Sequence, residues 1–455
     1  MSKVRPISGF PEWLPSERIV ELHFLDVIRK TFELHGFASI QTRSVEPIER
    51  LTSQGEDTDK EIYAVSRLAG GLPDSARDAK LGLHFDLTVP FARYVLENAG
   101  KLTFPFRRYQ IQSVWRGERP QEGRYREFTQ CDIDIIAVGE LAAHYEAELP
   151  LVVADAFSKL PIGPFRIQVN NRKLTEGFYR GIGLSEITTT LRIVDKLDKI
   201  GPDKVSDLLV ASGTTFEQAK AALALAEISS SDESFVEGVH ALGVEHPMLT
   251  EGLAELAAVI RGGAERAPGV MVADLSVARG LDYYTGTVYE TRLIGLEDYG
   301  SVCSGGRYDA LASDGKTNYP GVGLSIGLTR LLAKIMPTLW ASRSSPSCVL
   351  VSLADESDRG QGMGVAAALR RRGIPCEVAP AAAKFGKQIQ FAQRRGIPFV
   401  WFPASGGPGS DSEGRRDDSV KDIRSGEQAR ADATSWMPPA QDLHPHVMTI
   451  PGLPG

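Results

Sequence analysis

Residues 105–136 alternate with a period of two, and no other stretch limits the possible folds so sharply. After Arg107, the residues Tyr109, Ile111, Ser113 and Trp115 alternate with Arg108, Gln110, Gln112 and Arg116. A polar, glycine-containing stretch, Gly117 to Glu127, interrupts the pattern. From Phe128 it resumes, with Cys131, Ile133 and Ile135 facing one way and Gln130, Asp132 and Asp134 the other. Successive strand residues point to opposite faces, so this is a long antiparallel hairpin with one mainly apolar and one mainly polar face. A polar strand face is commonly just a solvated one. Here arginines and carboxylates converge across two paired strands, which favours a functional face.

Other segments carry different periods. Residues 16–35 read as an amphipathic helix: Ser16 is a plausible N-cap, Val20, Phe24, Val27 and Ile28 fall on one face, and Gly36 ends it. The stretch from Lys173 to Arg261 is rich in Ala, Leu, Glu and Lys, and Thr214 and Glu217 have capping-box spacing. Strand character returns over 271–294. A helical insertion at 171–265 inside a β-rich domain (1–170 and 266–340) accounts for this. Between 348 and 402, three apolar strands alternate with two helices (Gln361 to Arg372 and Lys387 to Arg395), which implies a parallel sheet and a separate domain over 345–432. Residues 403–419 are a low-complexity loop, and 433–455, with five prolines, read as a tail.

The 455 residues leave room for several domains, and 42% apolar content excludes a wholly disordered chain. A net charge of −7 argues against coating nucleic acid by bulk charge. The charge is uneven, however. Residues 101–126 hold seven Lys/Arg against two acids, while 344–455 is near balance with 13 basic and 12 acidic groups. The four cysteines show no C-x-x-C spacing, so zinc and thioredoxin-type chemistry gain no support and a reduced, cytoplasmic protein is expected. No apolar run of signal length opens the chain, and none of 18 residues occurs, so no membrane partner is expected.

Two apparent nucleotide motifs fail on spacing. Gly315-Lys316-Thr317 lacks the glycine five residues before the Gly-Lys pair, where Ala310 stands. Gly321-x-Gly323-x-x-x-Gly327 is one residue too long for the dinucleotide fingerprint. None of the eight histidines belongs to a triad-like or metal-like cluster, and His84 beside Asp86 reads as a surface or core-satisfied residue. What remains is arginines, glycines and carboxylates. That set suits a polyphosphate, and catalysis by positioning and charge neutralisation.

Five stretches resemble the histidyl-tRNA synthetases, of the class II aminoacyl-tRNA synthetase type, over about residues 8–430. They are Leu83-His-Phe-Asp86-Leu-Thr88-Val-Pro, the motif 2-like run from Trp115 to Asp134, Ala278-Arg279-Gly-Leu-Asp-Tyr283-Tyr284 through Glu290, Ser304-Gly-Gly-Arg307-Tyr-Asp309, and the motif 3-like Gly321 to Arg330. The resemblance implies an α+β catalytic domain with an antiparallel sheet, a helical insertion, and a C-terminal α/β anticodon-binding domain. It implies that Arg116 holds the ATP α-phosphate, that Arg330 with Gly327 holds the γ-phosphate end, and that Arg279 bridges the substrate carboxylate and α-phosphate. Asp86, Thr88 and Gln130 would receive the α-amino group, and Asp134 and Tyr284 the two ring nitrogens of histidine. Such contacts would reject an analogue that lacks a ring nitrogen. Magnesium is implied with ATP, its ligands not being readable, and so is a homodimer that binds histidine tRNA.

Some residues depart from this pattern or stand beside it. Arg43 occupies a usual proline position in the motif 1 region, and His84 a usual arginine position. Tyr283 is expected to support its neighbour rather than touch substrate. Arg119 and Arg126 stay open between solvated loop charges and tRNA contacts, and Cys131 and Cys303 are expected to be buried hydrophobes. Two rival functions share the core motifs: a regulatory subunit of ATP phosphoribosyltransferase, and a tRNA-sensing module without catalysis. The first typically lacks the Arg279 stretch and the anticodon domain; the second would have eroded arginines. Neither loss is seen in the sequence.

Overall fold

The hairpin forms where the alternation places it and supplies the second and third strands from one edge of a nine-stranded sheet. The computed structural model describes residues 4–52, 61–67, 80–278, 283–404 and 417–449. Its strands are β1 (Ala38–Ser39), β2 (Phe106–Trp115), β3 (Glu127–Ile136), β4 (Phe165–Asn171), β5 (Ser229–Ser230), β6 (Met271–Asp274), β7 (Thr287–Leu293), β8 (Cys303–Tyr308) and β9 (Gly321–Gly327). They lie side by side in the order β1-β2-β3-β9-β8-β7-β4-β6-β5. From β2 across to β4 every pairing is antiparallel, while β1 on β2 and β6 on β4 run parallel. The chain divides into two compact units, Met1–Pro11 with Val27–Ile335, and Glu12–Asp26 with Met336–Pro454.

The amphipathic helix expected at 16–35 is α1 (Pro15–Leu34). Ser16 falls inside it rather than capping it, because Pro15 supplies a first-turn residue that needs no N–H partner. Helix α2 (Thr88–Asn98) follows the loop that carries Asp86. Within the first unit, α3 (His144–Ser158), α4 (Arg172–Gly181) and α5 (Pro247–Ala264) are packed together, and α5 also lies on β4 and β6. The α4–α5 crossing is backbone to backbone. A Cβ on Gly252 would stand 2.2 Å from the Leu174 nitrogen, and one on Gly177 2.2 Å from the Leu249 nitrogen. Five short helices lie between α4 and α5, so the 171–265 stretch is helical as its composition indicates. Its capping box is formed by Thr215 and Gln218, one residue beyond the Thr214–Glu217 pair expected. Thr215 has the extended backbone that an N-cap requires, and a glutamine at N3 reaches back as a glutamate does.

In the second unit, β10 (Val349–Val351), β11 (Cys376–Val378) and β12 (Phe399–Phe402) are parallel in the order β11-β10-β12. Helices α7 (Arg359–Arg371) and α8 (Phe385–Arg395) connect them; α6 (Leu328–Ile335) closes the first unit. The expected all-parallel sheet proves mixed, since β13 (Ser419–Asp422) and β14 (Gln428–Arg430) add antiparallel strands beyond β12. Of the low-complexity loop, residues 405–416 lie outside the described residues. Its borders are pinned: Asp418 accepts bonds from the Trp401 ring nitrogen at 2.8 Å and the Ala404 nitrogen at 2.7 Å. The tail reading is corrected for 433–449. Val447–Thr449 pairs with Leu339–Ala341, and buried Arg343 donates to the carbonyls of Asp442 (2.9 Å) and Leu443 (3.0 Å). Periodicity does not reveal such a segment, because it is held by strand pairing and by Arg343, Arg372 and Arg424 from elsewhere in the sequence.

Candidate active site

The polar faces of β2 and β3 come into register as Arg108 opposite Asp134, Gln110 opposite Asp132 and Gln112 opposite Gln130. On the other side of β3, Gly323, Ser325 and Gly327 of β9 stand opposite Asp134, Asp132 and Gln130. This face is not solvated: Arg108 is 0% exposed, Asp134 1% and Asp132 2%. Burying charge is tolerable only where it is paired. Arg108 meets Asp134 at 2.6 Å, packs over the Phe91 ring at 4.3 Å, and the Tyr308 hydroxyl donates to the other Asp134 oxygen at 2.7 Å. Gly323 makes room for that carboxylate, since a Cβ there would lie 2.1 Å from Asp134 Oδ1.

Next to this cluster lies a cavity of about 400 Å³. Asp86 and Thr88 line it from the start of α2, Arg116 from the hairpin, Gln130 and Asp132 from β3, and Gly327 and Arg330 from the β9–α6 junction. Tyr283, Tyr284 and Glu290 complete the wall near β7. The strand alternation and the motif-like stretches thus converge on one site. Asp134 is paired with Arg108 and Tyr308, and its charge bears on the Tyr284 hydroxyl. Asp132 lines the cavity, and so does Tyr283, whose hydroxyl is 3.5 Å from Asp86. Arg279 falls at 279–282, outside the described residues.

The arginines are held by carbonyl groups. Arg116 donates to the Phe85 carbonyl at 3.0 Å and lies over Phe128 at 5.1 Å. Arg330 donates to the carbonyls of Ser301 (2.8 Å), Gly123 (3.2 Å) and Tyr299, and lies over the Tyr299 ring at 4.6 Å. Carbonyl partners hold a guanidinium in a fixed orientation, as an anion site needs. Opposite them are carboxyls that burial disfavours in charged form. Burial pushes Asp86 up to about 6, against the Val89 N–H and Arg116, which stabilise its anion. Burial pushes Asp132 up to about 7, opposed by Arg108 and reinforced by Asp134. Burial also raises Asp134, opposed by Arg108 and the Tyr308 hydroxyl. The Gln130 amide donates to Ser325 Oγ at 2.7 Å. Among the described residues, Gln130 Oε1 and Asp132 Oδ1 are buried with no hydrogen-bond partner. Perturbed carboxyls and orphaned acceptors on a cavity wall are the signature of a ligand site.

Other residues singled out by the sequence take structural or surface places. His84 is fully buried, donates from Nε2 to the Ser113 carbonyl at 2.8 Å and stacks on Trp115, so it is a core histidine. Arg43 pairs with Glu46 at 3.0 Å. Arg119 is exposed, and Arg126 donates to the Glu118 carbonyl at 3.3 Å. Cys131 and Cys303 are buried thiols. Glu118, Arg124 and Glu290 also line the cavity, although no role was read for them. Glu118 and Arg124 lie in the polar hairpin loop, which carries no periodic signal. Among the described residues no group of three or more His, Cys, Asp or Glu could hold a metal, and no helix is long and apolar enough to cross a membrane.

An antiparallel sheet with an arginine on its hairpin, another after its last strand and an amino-acid-sized acidic pocket between them defines the catalytic fold of a class II aminoacyl-tRNA synthetase. The family model for histidyl-tRNA synthetase matches residues 9–331. The histidine–tRNA ligase of Micrococcus luteus is 59% identical, over 98% of this chain and 99% of its own. The crystal structure of histidyl-tRNA synthetase from Nostoc sp. PCC 7120 superposes with a TM-score of 0.81 at 35% identity, covering 95% of this chain and 98% of that one. The chain belongs to the histidyl-tRNA synthetase family. A Bacillus halodurans structure described as an ATP phosphoribosyltransferase regulatory subunit/histidyl-tRNA synthetase shares the fold, with a TM-score of 0.68 and 17% identity over 86% of this chain and 97% of that one.

Proposed function

We propose that the protein attaches histidine to its tRNA at the expense of ATP, through a histidyl-adenylate. The observation that carries this reading is the convergence of Arg116, Arg330, Asp86, Thr88, Gln130 and Tyr284 on one cavity. The histidine carboxylate attacks the ATP α-phosphorus in line, and pyrophosphate leaves. The 3′-terminal ribose hydroxyl of the tRNA then attacks the acyl carbon and releases AMP. Arg116 holds the α-phosphate, and Arg330, in the first turn of α6 just after Gly327, holds the γ-phosphate. Arg279 neutralises charge between the carboxylate and α-phosphate. Preorganised donors of this kind each supply roughly 10²–10³-fold in rate. Asp86, Thr88 and Gln130 receive the α-ammonium, and Asp134 and Tyr284 the two ring nitrogens.

Magnesium binds ATP through phosphate oxygens and needs only one or two protein carboxylates. Glu118 and Glu290 line the cavity and fit that limited part; when bound, the ion would neutralise phosphate charge. The basic 116–126 loop approaches the tRNA acceptor end, and the domain over 345–432 binds the anticodon. The helical insertion at 171–265 interrupts the catalytic domain, 1–170 and 266–340. The protein works as a homodimer in the cytoplasm. The regulatory-subunit reading is disfavoured by the 59% identity to a histidine–tRNA ligase over nearly the whole chain. Histidine-dependent exchange of pyrophosphate into ATP tests the activity; no exchange above background in folded protein refutes it.

A further inference from the structure

We infer that Tyr299 is a positioning residue for ATP: it fixes the Arg330 guanidinium and seats the hairpin loop beside it. The inference rests on the proposed activity, in which Arg330 holds the γ-phosphate, and adds to it what holds Arg330. Tyr299 lies outside the five motif-like stretches. It ends the single turn Glu297–Tyr299 between β7 and β8, and Gly300, with φ +79°, redirects the chain after it. Three contacts tie it to Arg330. The Tyr299 hydroxyl donates to the Arg330 carbonyl at 2.6 Å, Arg330 Nη2 donates to the Tyr299 carbonyl, and the guanidinium lies 4.6 Å from the ring centroid. One tyrosine thus grips the arginine at its backbone and at its charged end. A long side chain already held in place loses less rotamer freedom when it meets phosphate.

The chemistry of the tyrosine suits that part. An aromatic face attracts a cation through its quadrupole and brings no formal charge, so it offers phosphate no rival anion. Burial pushes the Tyr299 hydroxyl up to about 12, against the nearby Arg330 charge, so it keeps its proton and remains a donor. The same side chain carries the hairpin loop. Gly123, with φ +69°, passes so close that a Cβ there would stand 1.9 Å from the Tyr299 hydroxyl oxygen, and the Gly123 carbonyl accepts from Arg330 Nη1 at 3.2 Å. Lys334, one turn further along α6, lies 5.2 Å from the ring centroid and 3.6 Å from Glu122 of the loop. These contacts run to the nucleotide-binding arginine and to the loop, so loss of Tyr299 should fall on ATP.

The test is pyrophosphate exchange by the full-length enzyme, with the KM for ATP and for histidine measured separately. Tyr299→Leu, which removes ring and hydroxyl, should raise the ATP KM at least about tenfold and the histidine KM less than about threefold. Tyr299→Phe keeps the ring and loses the bond to the Arg330 carbonyl, and should raise the ATP KM only about threefold. A second readout isolates the γ-phosphate. α,β-Methylene ATP and α,β-methylene ADP are inert at the bond that adenylation breaks and differ only in that group. As competitors of ATP, the triphosphate should weaken at least about tenfold in Tyr299→Leu and the diphosphate less than about threefold, and Arg330→Ala should show the same pattern. A general loosening of the site would weaken both. Thermal unfolding shows whether Tyr299→Leu is folded; if it is not, Tyr299→Phe decides, and an ATP KM equal to wild type there overturns the inference. So does an ATP KM within about threefold of wild type in folded Tyr299→Leu, an equal rise for histidine, or equal weakening of both analogues. Equal weakening of both by Arg330→Ala would remove the γ-phosphate assignment, and the inference with it. Absence of histidine-dependent exchange in the wild type would instead sink the activity itself, and this inference with it.

Discussion

Replacing Arg108 by methionine should strand a charge in the buried polar face. Arg108 is fully buried, pairs with Asp134 at 2.6 Å and packs on Phe91. Methionine keeps much of that packing but removes the cation. Asp134 is then left buried beside Asp132 and Asp86 with the Tyr308 hydroxyl as its remaining partner in the cluster. Breaking a buried pair from one side typically costs roughly 3–5 kcal/mol, because the surviving charge stays desolvated. At about 2–4 °C per kcal/mol for a domain of this class, the expected fall in the melting temperature of the first unit is about 6–20 °C. The sign with pH follows. Burial already raises Asp134, and losing Arg108 raises it further, so the folded state holds its proton up to a higher pH than the unfolded chain does. The mutant's deficit should therefore widen from pH 6 to pH 8.5. Adding Asp134→Asn removes the stranded charge and should recover at least about 2 kcal/mol. Thermal and urea unfolding of the single and double variants measure this. A single-variant loss below about 1 kcal/mol, or a double variant no better than the single, would refute the account of this face as an obligate ion pair.

Two further outcomes are expected. Asp132→Asn should stabilise the protein at pH 8 by roughly 5 °C and hardly at all at pH 4.5: the wild-type carboxyl is raised to about 7, so its destabilising ionisation is absent near the unfolded value and complete above 7. Differential scanning calorimetry at both pH values checks the sign. Arg279→Ala should abolish pyrophosphate exchange while leaving tRNA affinity within about threefold of wild type by filter binding, and an equal loss of both would show that its role has been misplaced.

Much of the site can be read locally. The alternation over 105–136 determines a hairpin, and a hairpin with a period of two puts Arg108, Gln130, Asp132 and Asp134 on one face whatever surrounds it. Helical composition over 171–265 and the strand–helix alternation over 348–402 are similarly local, and both elements appear. Three things are not local. The sense of β13 is set by pairing with β12 and that of β14 by pairing with β13, and residues 433–449 are held by Leu339–Ala341, Arg343, Arg372 and Arg424, far away in sequence. The capping box moves by one residue to Thr215 because the backbone there, not the motif spacing, is extended.

The net charge of −7 shows how far bulk and local charge can part. Bulk charge argues against nucleic acid, yet seven basic residues lie within 101–126, and part of that charge is spent internally: Arg108 on Asp134, Arg107 on Glu148, Arg124 on Glu118. Which side chains share a strand face follows from residue order alone, because the pleat imposes alternation at every step. What each of those side chains is free to do comes from packing between distant strands. Tyr308 and Gly323, nearly two hundred residues away, donate to Asp134 and make room for it, while Asp132 lines the cavity. Whether a buried carboxylate is structural or available to a ligand depends on which donors desolvate and pair it, and those donors come from other strands.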